Sequence, residues 1–378
     1  MNKKILAVRA EGVPLEVVIV GAGTIGTELI RQIQLINASL EEGTSLFKIP
    51  ALLRSDRLVE ANFETGVDLA ALSWSTKNYA TKKRDLFSGN VMVVDVTASE
   101  EFATECQGYS YVVAANKPGF ATGLLQARPK VFNRCTVGAA LPVLEIIEIL
   151  GPSNVKKVEG TFSGSLGYLF HLMNNEGMAF DAAYAEVLEA GDYFEPIKEG
   201  ETYPSDLKGE DVLNKAKIIA RCLGVDIPSD FKPDNLSGRA IAVGPGCHLG
   251  YVAEISRESG VKVGLRTDIR EGDSFYGLEG TDNKIVITMN DGKQVMIQGP
   301  GAGKEVTAAG VLVDVLEAQG LSLEDREKYL QPVLDDIKEK RISIGEVVID
   351  GKRIPSEKLL LVSKDMTIAE LMALAVPV

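Results

Sequence analysis

Three groups of residues in this 378-residue chain have types and spacings that could do chemistry. The first is a set of glycines, Gly21, Gly23 and Gly26, within Gly21-Ala-Gly-Thr24-Ile25-Gly26. They follow the β-branched run Leu15 to Val20 and precede an amphipathic stretch that starts at Thr27, which predicts a strand, a tight turn and a helix. In that geometry Gly21 makes the turn, Gly23 lets the backbone close on a pyrophosphate, and Gly26 lets helix and strand pack closely. The phosphates would rest on the unsatisfied N–H groups at the positive end of the helix. A glycine-rich turn in an unrelated α/β protein has the same spacing. The placement after a buried strand makes dinucleotide binding the better reading.

The second group is a lysine with a carboxylate. In Asp211-Val-Leu-Asn-Lys215 the two lie on one helical face in the favourable carboxylate-first order. An exposed pair of this kind is worth only about 0.3–0.5 kcal/mol. Ile218 and Cys222 continue the stripe, however, so Lys215 sits at an apolar border where partial desolvation assists proton exchange. Asp206 reads as a cap of this helix, and Glu195, in Gly191-Asp-Tyr-Phe-Glu-Pro, as a loop carboxylate. The third group lies at strand ends. Asn90 to Val96 and Tyr109 to Ala115 read as parallel strands that end at Thr97 and at Asn116-Lys117-Pro118. Ligands of doubly wound sheets bind beyond such ends, which puts Thr97 and Lys117 within reach of a nicotinamide.

Composition bounds the partners. A formal net charge of −13 argues against nucleic acid or an anionic membrane, so an anionic cofactor must be held by local Lys, Arg and helix termini. With two histidines, His171 and His248, imidazole-rich metal sites are excluded. Four widely spaced cysteines (106, 135, 222 and 247) read as reduced thiols. There is no signal-peptide pattern and no bilayer-length apolar run, so the expected compartment is the cytoplasm. The second strand, Phe47 to Leu53, exits into Arg54-Ser55-Asp56-Arg57. An NAD site would place an acidic residue there. Arg54, Ser55 and Arg57 suit a 2′-phosphate instead and tilt the cofactor toward NADP, with NAD possible.

The elements that must position these groups form two domains. Residues 1–138 read as a dinucleotide-binding domain, to which 304–330 return through a small-residue helix at Ala308 to Leu316. Residues 139–303 read as a domain for substrate binding and dimerisation. It contains helices at 143–150, 180–190 and 208–223, and alternating segments at 249–257, 261–269, 284–289 and 293–298 that read as antiparallel strands. Residues 331–378 are an extension with a hairpin about Asp350-Gly351 and a last helix, Thr367 to Ala375. The fold class is α/β: a Rossmann-type doubly wound parallel sheet plus an α+β domain with an open, mainly antiparallel sheet. The expected assembly is a homodimer.

Taken together, the motifs resemble homoserine dehydrogenase from about Val17 to about Leu316. The blocks appear in order as Gly21-Ala-Gly-Thr-Ile-Gly, Asp95-Val-Thr, Asn116-Lys-Pro, Thr136-Val-Gly-Ala-Ala-Leu-Pro, Gly160-Thr-Phe-Ser-Gly-Ser, Asp206 to Lys215, and Gly299-Pro-Gly-Ala-Gly-Lys-Glu-Val-Thr307. The resemblance implies reversible reduction of L-aspartate 4-semialdehyde to L-homoserine, a step of threonine and methionine biosynthesis, with a nicotinamide cofactor. It assigns Lys215 as the acid/base lysine and Lys117 as the lysine that polarises the reacting oxygen. Glu195, Asp206 and Asp211 match acidic positions that hold the substrate or support the lysine. Tyr193, Gly164, Ser165 and Thr307 match substrate contacts, and Thr97, Asn116 and Gly303 match the cofactor cleft.

The chain departs from the family pattern in three places. Arg134 replaces the glutamate of the family's monovalent-cation loop, so no metal is expected. The segment between Glu195 and Asp206 is several residues longer than usual. The tail from about Gln331 lies outside the resemblance.

Overall fold

The computed structural model describes residues 15–42, 45–61, 63, 72–88, 91–99, 101–102, 104, 112–123, 131–191, 193–195, 197 and 199–378. Cys106 and the expected strand residues 109–111 lie outside them. The chain divides into two units, Met1–Ala140 with Gly303–Ser343, and Leu141–Ala302 with Ile344–Val378.

In the first unit, β1 (Leu15–Val20), β2 (Phe47–Leu53), β3 (Leu58–Glu60), β4 (Met92–Asp95), β5 (Val112–Ala114) and β6 (Val131–Phe132) form one sheet of order β3-β2-β1-β4-β5-β6. All neighbours are parallel except β2 and β3, which form an antiparallel pair at the edge. Val17 to Val20 pair with Met92 to Asp95 and are essentially inaccessible, as a strand flanked on both sides must be. Helix α1 (Thr24–Ala38) buries Leu29, Ile30, Ile33 and Ile36 at helical spacing. Helices α2 (Tyr79–Ser88) and α3 (Lys117–Ala121) also belong to this unit.

The helix Lys304–Ala318 packs on α1, with Val306, Ala308, Ala309, Val311, Leu312, Val313, Val315 and Leu316 all buried. The first unit then continues through the helix Leu323–Glu339, beyond the residue 330 expected from sequence. That helix has an apolar stripe of Leu330, Val333, Leu334 and Ile337, which needs cover. Arg31 of α1 ties it down through Asp336 at 2.7 Å.

The second unit is built on an antiparallel sheet of eight strands, ordered β14-β13-β12-β11-β10-β7-β8-β9. Its strands are β7 (Val155–Thr161), β8 (His248–Ser256), β9 (Gly260–Ile269), β10 (Asp282–Met289), β11 (Gln294–Pro300), β12 (Glu346–Ile349), β13 (Lys352–Ile354) and β14 (Val376–Pro377). Helices α4 (Val143–Leu150), α5 (Gly164–Asn175), α6 (Phe180–Ala190) and α7 (Glu210–Leu223) accompany it, and both α5 and α7 pack on β8. Part of the tail is therefore sheet: Val347, Val348 and Ile349 pair with Ile297, Met296 and Val295. The β12–β13 turn is at Asp350-Gly351, both residues with positive φ. The last helix spans Ile368–Ala373 and starts with a capping box between Thr367 and Glu370, and so is shorter than the expected 367–375.

Candidate active site

In the first unit the glycine turn has the geometry that its spacing implies. Gly21 sits at φ +111°, a conformation that side-chain-bearing residues rarely adopt, and leads straight into Gly23, the N-cap of α1. A Cβ on Gly26 would lie 1.9 Å from the Gly21 carbonyl oxygen, so only glycine permits this approach of helix to turn. A Cβ on Gly23 would meet nothing within 4 Å, because that side faces open space. No side chain caps α1, which leaves its first-turn N–H groups directed at that space.

The space is a cleft of about 600 Å³ lined by Gly21 to Gly23, Arg54, Ser55, Tyr79, Lys83, Thr97 to Ser99, Glu101 and Phe102. Lys83 lies 5.4 Å from the Tyr79 ring centroid and 5.9 Å from that of Phe102. The Arg54 guanidinium lies 4.5 Å from the centroid of the Trp74 ring. Glycine backbone, an uncapped helix terminus, cations and aromatic rings together fit a phosphate-bearing dinucleotide. Arg57 is on the same turn, 5.8 Å from the Trp74 centroid, but is not among the lining residues. Thr24, Ile25, Asn116, Lys117 and Gly303 are likewise absent from the lining.

Asp95 organises the floor of this cleft. Fully buried at the end of β4, its carboxylate accepts hydrogen bonds from Thr97 N (2.9 Å), Thr97 Oγ1 (2.7 Å) and Asn116 Nδ2 (2.8 Å). Burial pushes its pKa up, against the opposing effect of these bonds. Asn116 caps α3 by accepting from Gly119 N, and α3 begins at Lys117. Asp95 thus fixes both Thr97 and the helix start that carries Lys117.

Arg134 is wholly buried with Asp314, whose Oδ2 accepts from Arg134 N at 2.9 Å and whose Oδ1 is 3.9 Å from Nε. Among the described residues no group of three or more His, Cys, Asp or Glu could hold a metal ion. No described helix is long and apolar enough to cross a membrane. Cys135 donates its Sγ–H to the carbonyl of Thr307, on the first turn of the helix Lys304–Ala318. Burial, with Glu148 and Glu145 nearby, pushes the Cys222 thiol up to about 12, so it packs as a protonated thiol.

In the second unit the chemistry converges on the turn 162–165, between β7 and α5. Lys215, only 4% exposed, donates from Nζ to the carbonyl oxygen of Phe162 and pairs with Asp211 Oδ2 at 2.7 Å. Asp206 does not cap α7, whose N-cap is Gly209. Its carboxylate instead accepts from Ser165 Oγ at 2.6 Å and from Glu195 N at 2.9 Å, which joins α5 to the Glu195 loop. Ser163 caps α5 and lies 3.0 Å from Ser165 Oγ. Tyr193 stacks on Tyr168 of α5, with ring centroids 4.3 Å apart. The lengthened segment is closed at its base by the Glu195–Asp206 bond and pinned by Lys208–Glu201 at 2.8 Å and Tyr203 against Tyr184.

Of the residues expected to serve the substrate, Gly164, Ser165, Tyr193, Glu195, Asp206, Asp211 and Lys215 are gathered here. Thr307 and Lys117 belong to the first unit. Sequence reasoning missed the Phe162 carbonyl, Ser163 and Tyr168 here, Tyr79 and Lys83 in the cleft, and Trp74 beside Arg54. The first two fall inside the motif Gly160-Thr-Phe-Ser-Gly-Ser and could have been found there. The others carry no local pattern.

The fold and the first unit's cleft define a dinucleotide-binding α/β protein of Rossmann type with an appended antiparallel-sheet domain. Residues 142–316 match the family model described as homoserine dehydrogenase, a span that covers 142–302 of the second unit and 303–316 of the first. The maize bifunctional aspartokinase/homoserine dehydrogenase 2, chloroplastic, is 30% identical over 80% of this chain, which spans 38% of that protein. A homoserine dehydrogenase of Emericella nidulans is 27% identical over 80% of this chain and 98% of its own length. The fold is shared with a hyperthermophilic archaeal homoserine dehydrogenase solved in complex with NADPH, at a TM-score of 0.57 and 22% identity over 81% of this chain and 98% of that one.

Proposed function

We propose that this chain is an NADP-dependent homoserine dehydrogenase that interconverts L-aspartate 4-semialdehyde and L-homoserine. The observation that carries the reading is the convergence of Lys215, Asp206, Asp211 and Ser165 on one turn within the matched domain. Buried and oriented by a carbonyl and a carboxylate, Lys215 is the proton donor to the oxygen of the reacting carbonyl, and the proton acceptor in the reverse direction. The resemblance assigns Lys117 to polarising the reacting oxygen. Glu195 and Asp206 supply negative charge for the substrate's ammonium group, and Gly164, Ser165, Tyr193 and Thr307 complete its contacts. When bound, the nicotinamide supplies or accepts the hydride. Gly21, Gly23, Thr24, Ile25 and Gly26 would hold its phosphates and Thr97 would flank its path, where the resemblance also assigns Asn116, Lys117 and Gly303.

Arg54, Ser55 and Arg57 on the turn after β2 support a 2′-phosphate and hence NADPH. The complex of the archaeal relative with NADPH points the same way. The buried pairing of Arg134 with Asp314 supports turnover without a monovalent cation. The reading includes a homodimer, which light scattering on the purified protein tests. The functional test is NADPH oxidation with L-aspartate 4-semialdehyde against a panel of small aldehydes. Selective turnover of the semialdehyde is expected. Turnover of another amino-acid-like aldehyde in its place would show that the long loop after Glu195 has changed the substrate.

A further inference from the structure

We propose that Trp74 is a positioning residue for the 2′-phosphate site: its indole holds the Arg54 guanidinium at the cleft and so sets the preference for NADPH over NADH. This rests on the NADP reading above and adds the residue that makes Arg54 effective.

Four observations carry it. Arg54 faces Trp74 with Cζ 4.5 Å from the ring centroid, inside the range of a cation–π contact, while its Nη2 approaches the Ala22 carbonyl of the glycine turn at 3.5 Å. The guanidinium is thus held from the indole on one side and from the phosphate-binding turn on the other. The indole is itself planted: Leu58 of β3 and Ser75 exchange both backbone hydrogen bonds, at 3.0 and 2.9 Å, which fixes the residue before Ser75 against the edge of the sheet. The arginine's backbone is fixed as well. Arg54 N donates to Arg57 O at 2.8 Å, and the Arg54 carbonyl accepts from Tyr79 Oη at 2.6 Å. Finally, Arg54 lines the cleft together with Ser55 and the glycines, whereas Trp74 does not, so the indole acts through the arginine.

The physical consequence follows from preorganisation. A long arginine side chain free to rotate must be immobilised when it grips a phosphate, and that loss weakens binding. An indole that already holds the guanidinium removes the loss, and does so only for a ligand that has a phosphate for the arginine to grip. In a chain with net charge −13, placing one cation firmly where the anion binds counts for more than general attraction.

The chain has a single tryptophan, so its emission reports this site alone. In the parent protein, 2′,5′-ADP, which has the 2′-phosphate and no nicotinamide, is expected to change the emission saturably and to bind more tightly than 5′-AMP. Trp74→Leu is expected to raise KM for NADPH about three- to tenfold, the size of a cation–π contact, while KM for NADH and kcat with either cofactor stay near the parent values. Trp74→Phe, which keeps an aromatic face, is expected to recover most of the NADPH preference and guards against a fold defect of the leucine variant. If Trp74→Leu weakens both cofactors equally, or leaves the NADPH/NADH ratio unchanged in an enzyme whose parent discriminates, the positioning role is overturned and the NADP reading stands. If the parent itself binds 2′,5′-ADP no better than 5′-AMP and uses both cofactors alike, both readings fall.

Discussion

The two units build their sites by different means. In the first, recognition is mostly backbone: three glycines, a helix terminus without a cap, and strand ends opening on a cleft, drawn from the run Leu15 to Gly26, the turn after β2 and the end of β4. In the second, recognition is side chains from dispersed positions, 165, 193, 195, 206, 211 and 215, drawn to one turn by hydrogen bonds and a ring stack. A site made of backbone depends on where a side chain is missing. A site made of side chains depends on each group and on its partners. The two should therefore fail differently when altered.

The largest failure is expected in the second unit. Lys215→Ala should lower turnover by on the order of 10²–10⁴ while leaving NADPH affinity nearly unchanged. Lys215→Arg should not rescue, because a guanidinium keeps its proton. Steady-state kinetics with a cofactor titration checks both, and circular dichroism confirms the fold. Near-normal turnover of a folded Lys215→Ala protein would reduce the lysine to half of an ion pair.

Arg54→Ala should break the side-chain part of the first unit's site. A charge-assisted hydrogen bond is worth roughly 1.5–3 kcal/mol, and the loss should fall on NADPH and spare NADH. Equal losses, measured as Kd for each cofactor, would remove the 2′-phosphate from the assignment.

Gly26→Ala tests the backbone part. The added methyl group would sit 1.9 Å from the Gly21 carbonyl, and the forced shift should cost about 1–3 kcal/mol of stability and weaken both cofactors alike. Denaturant unfolding and cofactor titration measure the two effects. A variant with parent-like stability and affinity would mean that the turn is looser than its geometry indicates.

The smallest expected effect concerns acid stability. Burial works to raise the pKa of Glu28, but hydrogen bonds from Arg31 and Gln32 outweigh it and leave the carboxyl below its usual value of 4.5. With the folded-state pKa below the unfolded one, this contribution is complete above about pH 4.5 and is lost as the pH falls through the folded value. Glu28→Gln should flatten the stability of the first unit over that acid range in urea melts. An unchanged acid profile would show that the link from α1 through Arg31 to Asp336 does not depend on the Glu28 charge.

The same contrast explains what was legible in the sequence. The turn from Gly21 to Gly26, the strands that feed it and the order of the blocks are local patterns, and local patterns survive in one dimension. Asp211 and Lys215 were legible because four residues make one helical turn. Asp206 was read as a helix cap because it stands near the start of α7. Its partners, Ser165 and the Glu195 amide, are 41 and 11 residues away and cannot be inferred from spacing. Trp74 and Lys83 were silent for the same reason, since their meaning comes from packing beside Arg54 and Phe102. In the tail the hairpin about Asp350-Gly351 is legible from its local turn signal and is present as β12 and β13, whereas the pairing of β12 with the edge of β11 joins distant segments and is not.

The most direct test of the central claim is an assay of the unaltered protein with L-aspartate 4-semialdehyde, following NADPH and NADH oxidation and identifying the product. The account predicts saturable oxidation of NADPH, a lower kcat/KM with NADH, and L-homoserine formed in equal amount to the NADPH consumed. A folded protein that binds NADPH in the cleft but forms no homoserine from the semialdehyde would contradict it.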